Sequence, residues 1–411
     1  MKVMRFPAQS RSLPGPADIR PLLTLPLTQL IVCGRSGSMF LHALLDGHPE
    51  ILQIPHTFKF YDYLASFADF SAQDGPSLAQ AFVEAPAHEA LFDSDASLLL
   101  RGRVGAALDT RVLIDRKAFS DAMASTLPGA GHDARRILCA ILLAHAWCIS
   151  KPVDCTKQLF VHVHHGDWLW PEAIEERCNL QGIAYSEGLR WLAPDHLIIT
   201  VRNPVDTIRS LENFIPKTDN DTTKYDLWME RYLRLLVQDW LRIELAQASG
   251  LNTKVIKLEN LRVNLPGEIH NLTTWMGVRY LPDVLSSPTA FGMPWWGDIY
   301  SAPSLSMKTS EPIQTPDMNN ADHQFLYALI NRVIASQGYP SMLKTKWHYL
   351  TKWLPTTEPE RAWPKIPGSR RCASRDRGSY LRAQQHRHAR SMAHAHGYLS
   401  QLPTRNSRYA R

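Results

Sequence analysis

The chain has 411 residues, 45% of them hydrophobic and 20% charged, with a formal charge of +6. That suffices for one large domain or two smaller ones and excludes a fibrous or fully disordered protein. The charge is uneven: residues 361–411 hold twelve Lys and Arg against one acid, a surplus of +11, which leaves −5 on residues 1–360.

Taken in order, residues 1–26 contain Pro7, Pro14, Pro16, Pro21 and Pro26 and no sustained apolar stretch. They resemble neither a signal peptide nor an anchor, so a Pro-rich N-terminal segment on a cytoplasmic protein is expected. The six cysteines show no CxxC pair and no ligand spacing with histidine, which reads as a reduced, metal-free interior.

The stretch LIVCGRSGSMFLHALLDGHPE, Leu30 to Glu50, is the most informative. An apolar run (Leu30, Ile31, Val32, Cys33) precedes Gly34-Arg35-Ser36-Gly37-Ser38, and Phe40, Leu41, Leu44 and Leu45 then recur at helical spacing. The pattern predicts strand, tight loop, helix. Gly34 and Gly37 permit a sharp turn, and the loop N–H groups, with those of the new helix, make a positively polarised cradle for phosphate or sulfate. Arg35 adds charge, and Ser36 and Ser38 add hydroxyl donors. A Walker A loop needs four residues between its glycines and then Lys-Ser or Lys-Thr, whereas two residues separate Gly34 from Gly37.

Between Thr57 and Gly131 the pattern loosens into a helical insertion with a short strand at Val112-Leu113-Ile114. Asp115-Arg116-Lys117 reads as a solvated charge cluster. Ile137 to Ile149, interrupted by His145, falls short of the roughly 20 residues a bilayer needs and reads as a core helix.

In Lys157 to Trp170, alternation puts Leu159, Val161 and Val163 on one face of a strand and Phe160, His162 and His164 on the other. His162, His164 and His165 crowd its carboxyl end. No Cys or carboxylate spacing completes a metal set, so metal ligation is the lesser reading. The continuous run His196 to Val201 predicts a buried parallel strand ending at Arg202-Asn203. Pro204 suits the first turn of a helix carrying Val205, Ile208, Ser210 and Leu211. A helix at Tyr225–Ala248, a strand at Lys254–Leu258, an aromatic, turn-rich segment at Phe291–Pro303 and a last helix at Asn319–Gly338 follow. After Pro355 the Arg, His, Ser and Ala composition lacks periodicity and reads as a disordered tail suited to polyanions or acidic lipid. The domain reading is 1–26, 27–345 and a basic tail at 346–411. Strands that each end in a polar loop feeding a helix argue for an α/β fold, an open parallel sheet flanked by helices with its ligand at the carboxyl edge.

GRSGSMF with DGHPEI, and Val201-Arg202-Asn203-Pro204-Val205-Asp206 followed by Ser210, resemble the sulfotransferases that use 3′-phosphoadenosine 5′-phosphosulfate. The resemblance runs from about Thr28 to Pro340 and implies a P-loop NTPase-like sulfotransferase fold. It implies cofactor contacts from Gly34, Arg35, Ser36, Gly37, Ser38 and Met39, with Arg202 and Ser210 on the 3′-phosphate and no metal. Arg35 would stabilise leaving charge, and His164 would be the base, with His165 and His162 as the other candidates and Asp167 as a carboxylate alternative. Met39 stands where the family has a second hydroxyl residue, Leu258 where it has a tyrosine, and the lysine before the strand-end histidine is missing. The implied acceptor is a free hydroxyl on a small molecule or glycan, with Trp168, Trp170, Trp295 and Trp296 favouring a carbohydrate or glycolipid by stacking. Two other readings stay open: a P-loop-type kinase, which predicts the absent Lys-Ser/Thr, and a non-catalytic binding protein that retains the fold.

Overall fold

The apolar runs at residues 27–32, 158–163 and 196–201 become the three middle strands of a parallel sheet in the computed structural model, which describes residues 2–6, 12–32, 35–55, 59–97, 99–163, 192, 194–218, 236, 239–240, 243, 246–247, 251–297, 327, 331 and 333–340. The chain divides into two compact units: Met1–Val32, Gly37–Val201 and Asn252–Ser310 form the first, and Cys33–Ser36, Arg202–Leu251 and Glu311–Arg411 the second.

The strands of the first unit are β1 (Lys2–Arg5), β2 (Leu27–Val32), β3 (Ile51–Leu52), β4 (Thr110–Leu113), β5 (Gln158–Val163), β6 (His196–Val201), β7 (Thr253–Lys257), β8 (Thr289–Ala290) and β9 (Met293–Pro294). Its helices are α1 (Pro16–Leu23), α2 (Ser38–Asp46), α3 (Phe60–Leu64), α4 (Gly75–Glu84), α5 (Glu89–Phe92), α6 (Arg116–Ser125) and α7 (Ala134–Cys148). The main sheet runs β3-β5-β2-β6-β7, all parallel. Ile31 lies between Val163 and Ile199, so the carboxyl ends of β5, β2 and β6 come level. From β2 the chain passes to β3 on one side and later to β6 and β7 on the other. The crevice for a ligand in such a sheet is expected at that reversal, beyond the carboxyl end of β2.

Alternation sorts the strand residues between two apolar layers. Leu159, Val161 and Val163 join the cluster of α1, α4, α6 and α7, whereas Leu30, Phe160, Ile198 and Ile256 face Leu41, Leu44 and Leu45 of α2. Each fully buried Leu or Ile contributes roughly 1.5–3 kcal/mol of transfer free energy. Helix α7 is buried nearly all round, as its run of apolar residues predicts, and Asp133 caps it by accepting from the Arg136 N–H.

Three readings gain structural detail. The strand read from Leu30 begins at Leu27. The Pro-rich start contributes to the core: β1 pairs with β4 in parallel, and Ile19 and Leu22 of α1 enter the same cluster as Leu27 and Val161. Proline density hid this, because Pro16 suits the first turn of a helix and β1 has a mostly exposed sequence. Asp115-Arg116-Lys117 is solvent-facing as read, with Asp115 and Lys117 exposed, and it also serves the fold: the Asp115 carboxylate caps α6 by accepting from the Ala118 N–H, and Arg116 binds Glu89 and the Val83 carbonyl.

After the second-unit helix α8 (Pro204–Thr218), the chain returns to the first unit with α9 (Leu258–Val263), α10 (Leu265–Met276) and α11 (Pro282–Leu285). In the second unit Asn203 starts α8 by accepting at Oδ1 from the Val205 N–H. Leu236, Trp240, Ile243 and Ala246 are buried at helical spacing, and Trp240 meets Tyr339 edge-on with ring centroids 5.9 Å apart. The sequence-predicted tail at 346–411 lies outside the described residues. Among the described residues no helix is long and apolar enough to cross a membrane.

Candidate functional site

The candidate residues fall in both units, and each set is described within its own. In the second unit, Arg35 takes a left-handed backbone, φ 51°. A bulky residue pays roughly 1–2 kcal/mol for that conformation, the kind of local strain that gathers at ligand-binding loops. Its Nε donates to the Ser210 hydroxyl at 3.3 Å, which joins two motifs read separately in the sequence. Ser36 is buried and Arg202 half-buried, immediately after the last residue of β6. Asp206 and Ser210 are one turn apart on α8, so they share a face.

In the first unit, Gly37 caps α2 with φ 80°, and Ser38 opens the helix with its side chain buried. Leu258, the first residue of α9, packs on this turn: a Cβ added to Gly37 would lie 2.5 Å from the leucine Cδ1. The left-handed conformation favours glycine here, and a Cβ would also have to displace the end of the flexible Leu258 side chain. Met39 turns its side chain against the main apolar cluster, so its backbone is what it offers to a ligand. His162 is 1% exposed, on the β5 face turned toward α2. Gly34, His164, His165, Asp167, Trp168 and Trp170 lie outside the described residues. Trp295 and Trp296 are held by indole N–H bonds to the carbonyls of Leu99 and Gly105.

The DGHPE part of the first motif lies elsewhere, at the amino edge of the sheet. The Glu50 carboxylate, its side chain 3% exposed, accepts from the Arg279 N–H at 2.8 Å, from Arg279 Nε at 2.6 Å and from Lys157 Nζ at 2.9 Å. Burial alone would raise this carboxyl, but those donors outweigh it and hold it at about 2. His48 bridges the Arg279 carbonyl and the Glu50 N–H, and its burial lowers its pKa. Asp46 accepts from Thr289 Oγ1 and the Gly292 N–H, which ties the β8–β9 hairpin to the end of α2. These carboxylates are committed to the fold.

Sequence reasoning did not single out His42. It lies one turn after Ser38, 1% exposed, stacked on Phe160 and edge-on to His162. The signal was its i+4 spacing from Ser38 together with the alternation of Phe160 and His162. Among the described residues no group of three or more His, Cys, Asp or Glu is placed to hold a metal ion.

No family model matches the chain, and no curated protein matches it. Among solved structures it is similar to the sulfotransferase domain from the Synechococcus PCC 7002 olefin synthase, with 14% identity and a TM-score of 0.41 over 82% of this chain and 99% of that one. It is likewise similar to the sulfotransferase domain from the curacin biosynthetic pathway, with 14% identity and a TM-score of 0.41 over 77% of this chain and 99% of that one.

Proposed function

We propose that the chain is a sulfotransferase that moves a sulfuryl group from 3′-phosphoadenosine 5′-phosphosulfate to an acceptor hydroxyl. The observation that carries this reading is the Arg35–Ser210 hydrogen bond, because it brings the loop cation and the helix hydroxyl of two separate motifs to one point in the second unit. A guanidinium in contact with a hydroxyl, with a half-buried second arginine, Arg202, in the same unit, offers donors suited to an anionic group. When bound, the donor molecule supplies an activated sulfuryl group and an anionic leaving group.

The roles follow from electrostatics. Gly37 and Ser38 present the opening N–H groups of α2, where the helix dipole favours negative charge. Arg35 stabilises charge as it develops on the leaving oxygen, and Arg202 with Ser210 holds the 3′-phosphate. A base must come within about 3 Å of the hydroxyl proton it accepts. The burial of His162 therefore supports the sequence candidate His164, two residues on in the chain, with His165 next. A carbohydrate or glycolipid hydroxyl remains the favoured acceptor, on tryptophan content. The +11 segment at 361–411 is proposed to contact polyanions or acidic lipid, which predicts binding that weakens steeply with salt.

The test is calorimetric titration with adenosine 3′,5′-bisphosphate, adenosine 5′-phosphate and ATP with magnesium. The reading expects the bisphosphate to bind without metal and much more tightly than the monophosphate. Equal affinity for the two would sink it, and preference for magnesium-ATP would point to a kinase.

A further inference from the structure

The chain between α5 and β4 carries Arg101 and Arg103, and β4 itself carries Arg111, all within the first unit. Arg101 donates Nε to the Asp95 carbonyl at 2.7 Å, and Arg111 donates Nε to the Asp93 carboxylate at 2.9 Å. Arg103 differs. It is half-buried, its Nη1 is enclosed with no hydrogen-bond partner, and no ion pair reaches its guanidinium among the described residues. A cation enclosed without counter-charge destabilises a fold, and an apolar side chain such as methionine fills similar space at no such cost. Packing alone therefore does not call for a guanidinium here, whereas an anionic ligand would satisfy it.

The neighbouring side chain narrows the ligand. Val104 and Trp295 form an antiparallel bridge, flanked by the Gly105 N–H on the Pro294 carbonyl and the Trp296 N–H on the Arg103 carbonyl, both at 2.9 Å. Alternation across this bridge turns Val104 and Trp295, 0% and 4% exposed, into the core. It leaves Arg103 and Trp296 side by side on the other face, with Cβ atoms about 5 Å apart. Trp296 is half-buried, and its indole N–H is spent on the Gly105 carbonyl at 2.7 Å, so what it offers a ligand is the ring itself. The Trp295 indole holds the Leu99 carbonyl at 2.9 Å. The loop is thus fixed at Leu99 and Gly105, on either side of Arg103. Gly105 keeps φ 90° at a point where a Cβ would collide with the Thr110 hydroxyl. A cation held rigidly beside an aromatic ring is preorganised for a ligand that carries an anionic group on a ring of its own.

We propose that Arg103 and Trp296 form an acceptor subsite that selects an acidic sugar: the guanidinium takes its carboxylate or sulfate, and the indole packs on the sugar ring. The proposal rests on the sulfotransferase reading, and it narrows the carbohydrate acceptor of that reading to an anionic one. The pair binds and orients; no bond of the ligand forms or breaks there.

In the experiment, full-length protein is titrated with methyl glucuronide, methyl glucoside 6-sulfate, neutral methyl glucoside and sodium acetate. Binding is followed by NMR at the Trp296 indole N–H, assigned from Trp296→Phe. At least one acidic sugar should bind roughly tenfold or more tightly than both the neutral sugar and acetate. Arg103→Gln should lose roughly tenfold to hundredfold of that affinity, the scale of hydrogen bonds to a charged group, and keep wild-type affinity for adenosine 3′,5′-bisphosphate. Arg103→Lys, which retains the charge without the planar fork, should recover part of the loss. Because the guanidinium has no partner in the free protein, the melting temperature of Arg103→Gln should equal or exceed that of wild type.

A clear fall in that melting temperature would assign Arg103 to the fold and overturn the proposal. Acidic sugars that bind no more tightly than the neutral one, or not at all, overturn this proposal alone while the bisphosphate still binds. A wild type that binds an acidic sugar and no bisphosphate overturns the acceptor role together with the sulfotransferase reading.

Discussion

Arg35 Nε and the Ser210 hydroxyl, 175 positions apart in sequence, form a hydrogen bond of 3.3 Å. The loop arginine and the helix serine are therefore in direct contact within the second unit, although the motif resemblance assigns Arg35 to the leaving oxygen and Ser210 to the 3′-phosphate. A double-mutant cycle on adenosine 3′,5′-bisphosphate affinity measures it. Arg35→Ala should cost roughly 2–5 kcal/mol and Ser210→Ala roughly 0.5–1.5 kcal/mol, with a coupling of about 0.5–3 kcal/mol between them. Strict additivity would mean that their hydrogen bond does not couple the two contacts with the ligand.

Gly37 carries a different constraint. Its left-handed backbone and the nearby Leu258 side chain both oppose a Cβ. Gly37→Ala should lower stability in urea denaturation by roughly 1–2 kcal/mol from backbone strain alone. Adding Leu258→Ala should relieve the contact and leave the strain, so stability relative to Leu258→Ala alone should still fall by about that amount. Full recovery would show that crowding, and not conformation, excludes alanine.

His145 should make the fold acid-sensitive before any carboxylate titrates. It is fully buried, neither ring nitrogen has a hydrogen-bond partner among the described residues, and burial with help from Lys151 lowers its pKa to about 3. The unfolded chain takes up this proton near pH 6.5 while the folded chain does not, so stability falls as pH drops from about 6.5 toward 3, by up to about 1.4 kcal/mol per unit. His145→Leu removes an unsatisfied polar ring and should raise the melting temperature at pH 5 more than at pH 8. A variant that loses as much stability as wild type over that interval would assign the effect to other groups, with the buried His88 the next to examine.

Glu50 governs a lower window. Its folded pKa of about 2 lies below the ordinary glutamate value near 4.5, so its contribution is present above about pH 4.5 and disappears as pH falls toward 2. The full shift corresponds to about 3 kcal/mol. Glu50→Gln, which keeps the shape and loses the charge, should destabilise the fold at pH 7 by roughly 1–3 kcal/mol and leave bisphosphate affinity unchanged, because the network lies at the amino edge of the sheet. Chemical denaturation at pH 7 and at pH 3 measures it: the gap between wild type and variant should shrink at the lower pH.

What the sequence by itself determined is the local grammar. Runs such as Leu30-Ile31-Val32 and Leu197-Ile198-Ile199 have no polar face and predict buried parallel strands, while Gly37 and Pro204 mark where helices begin. The α/β class and the candidate edge follow from those signals because each depends on neighbours a few residues away. Tertiary structure decided the rest. It placed β2 between β5 and β6, drew β1 against β4, brought Arg35 to Ser210, set His42 against His162 and turned Glu50 to the opposite edge. Each joins segments more than a hundred residues apart. Periodicity reports which face of an element is apolar, but the partner on that face is selected by packing the whole core at once, and that selection leaves no mark within any short window of sequence.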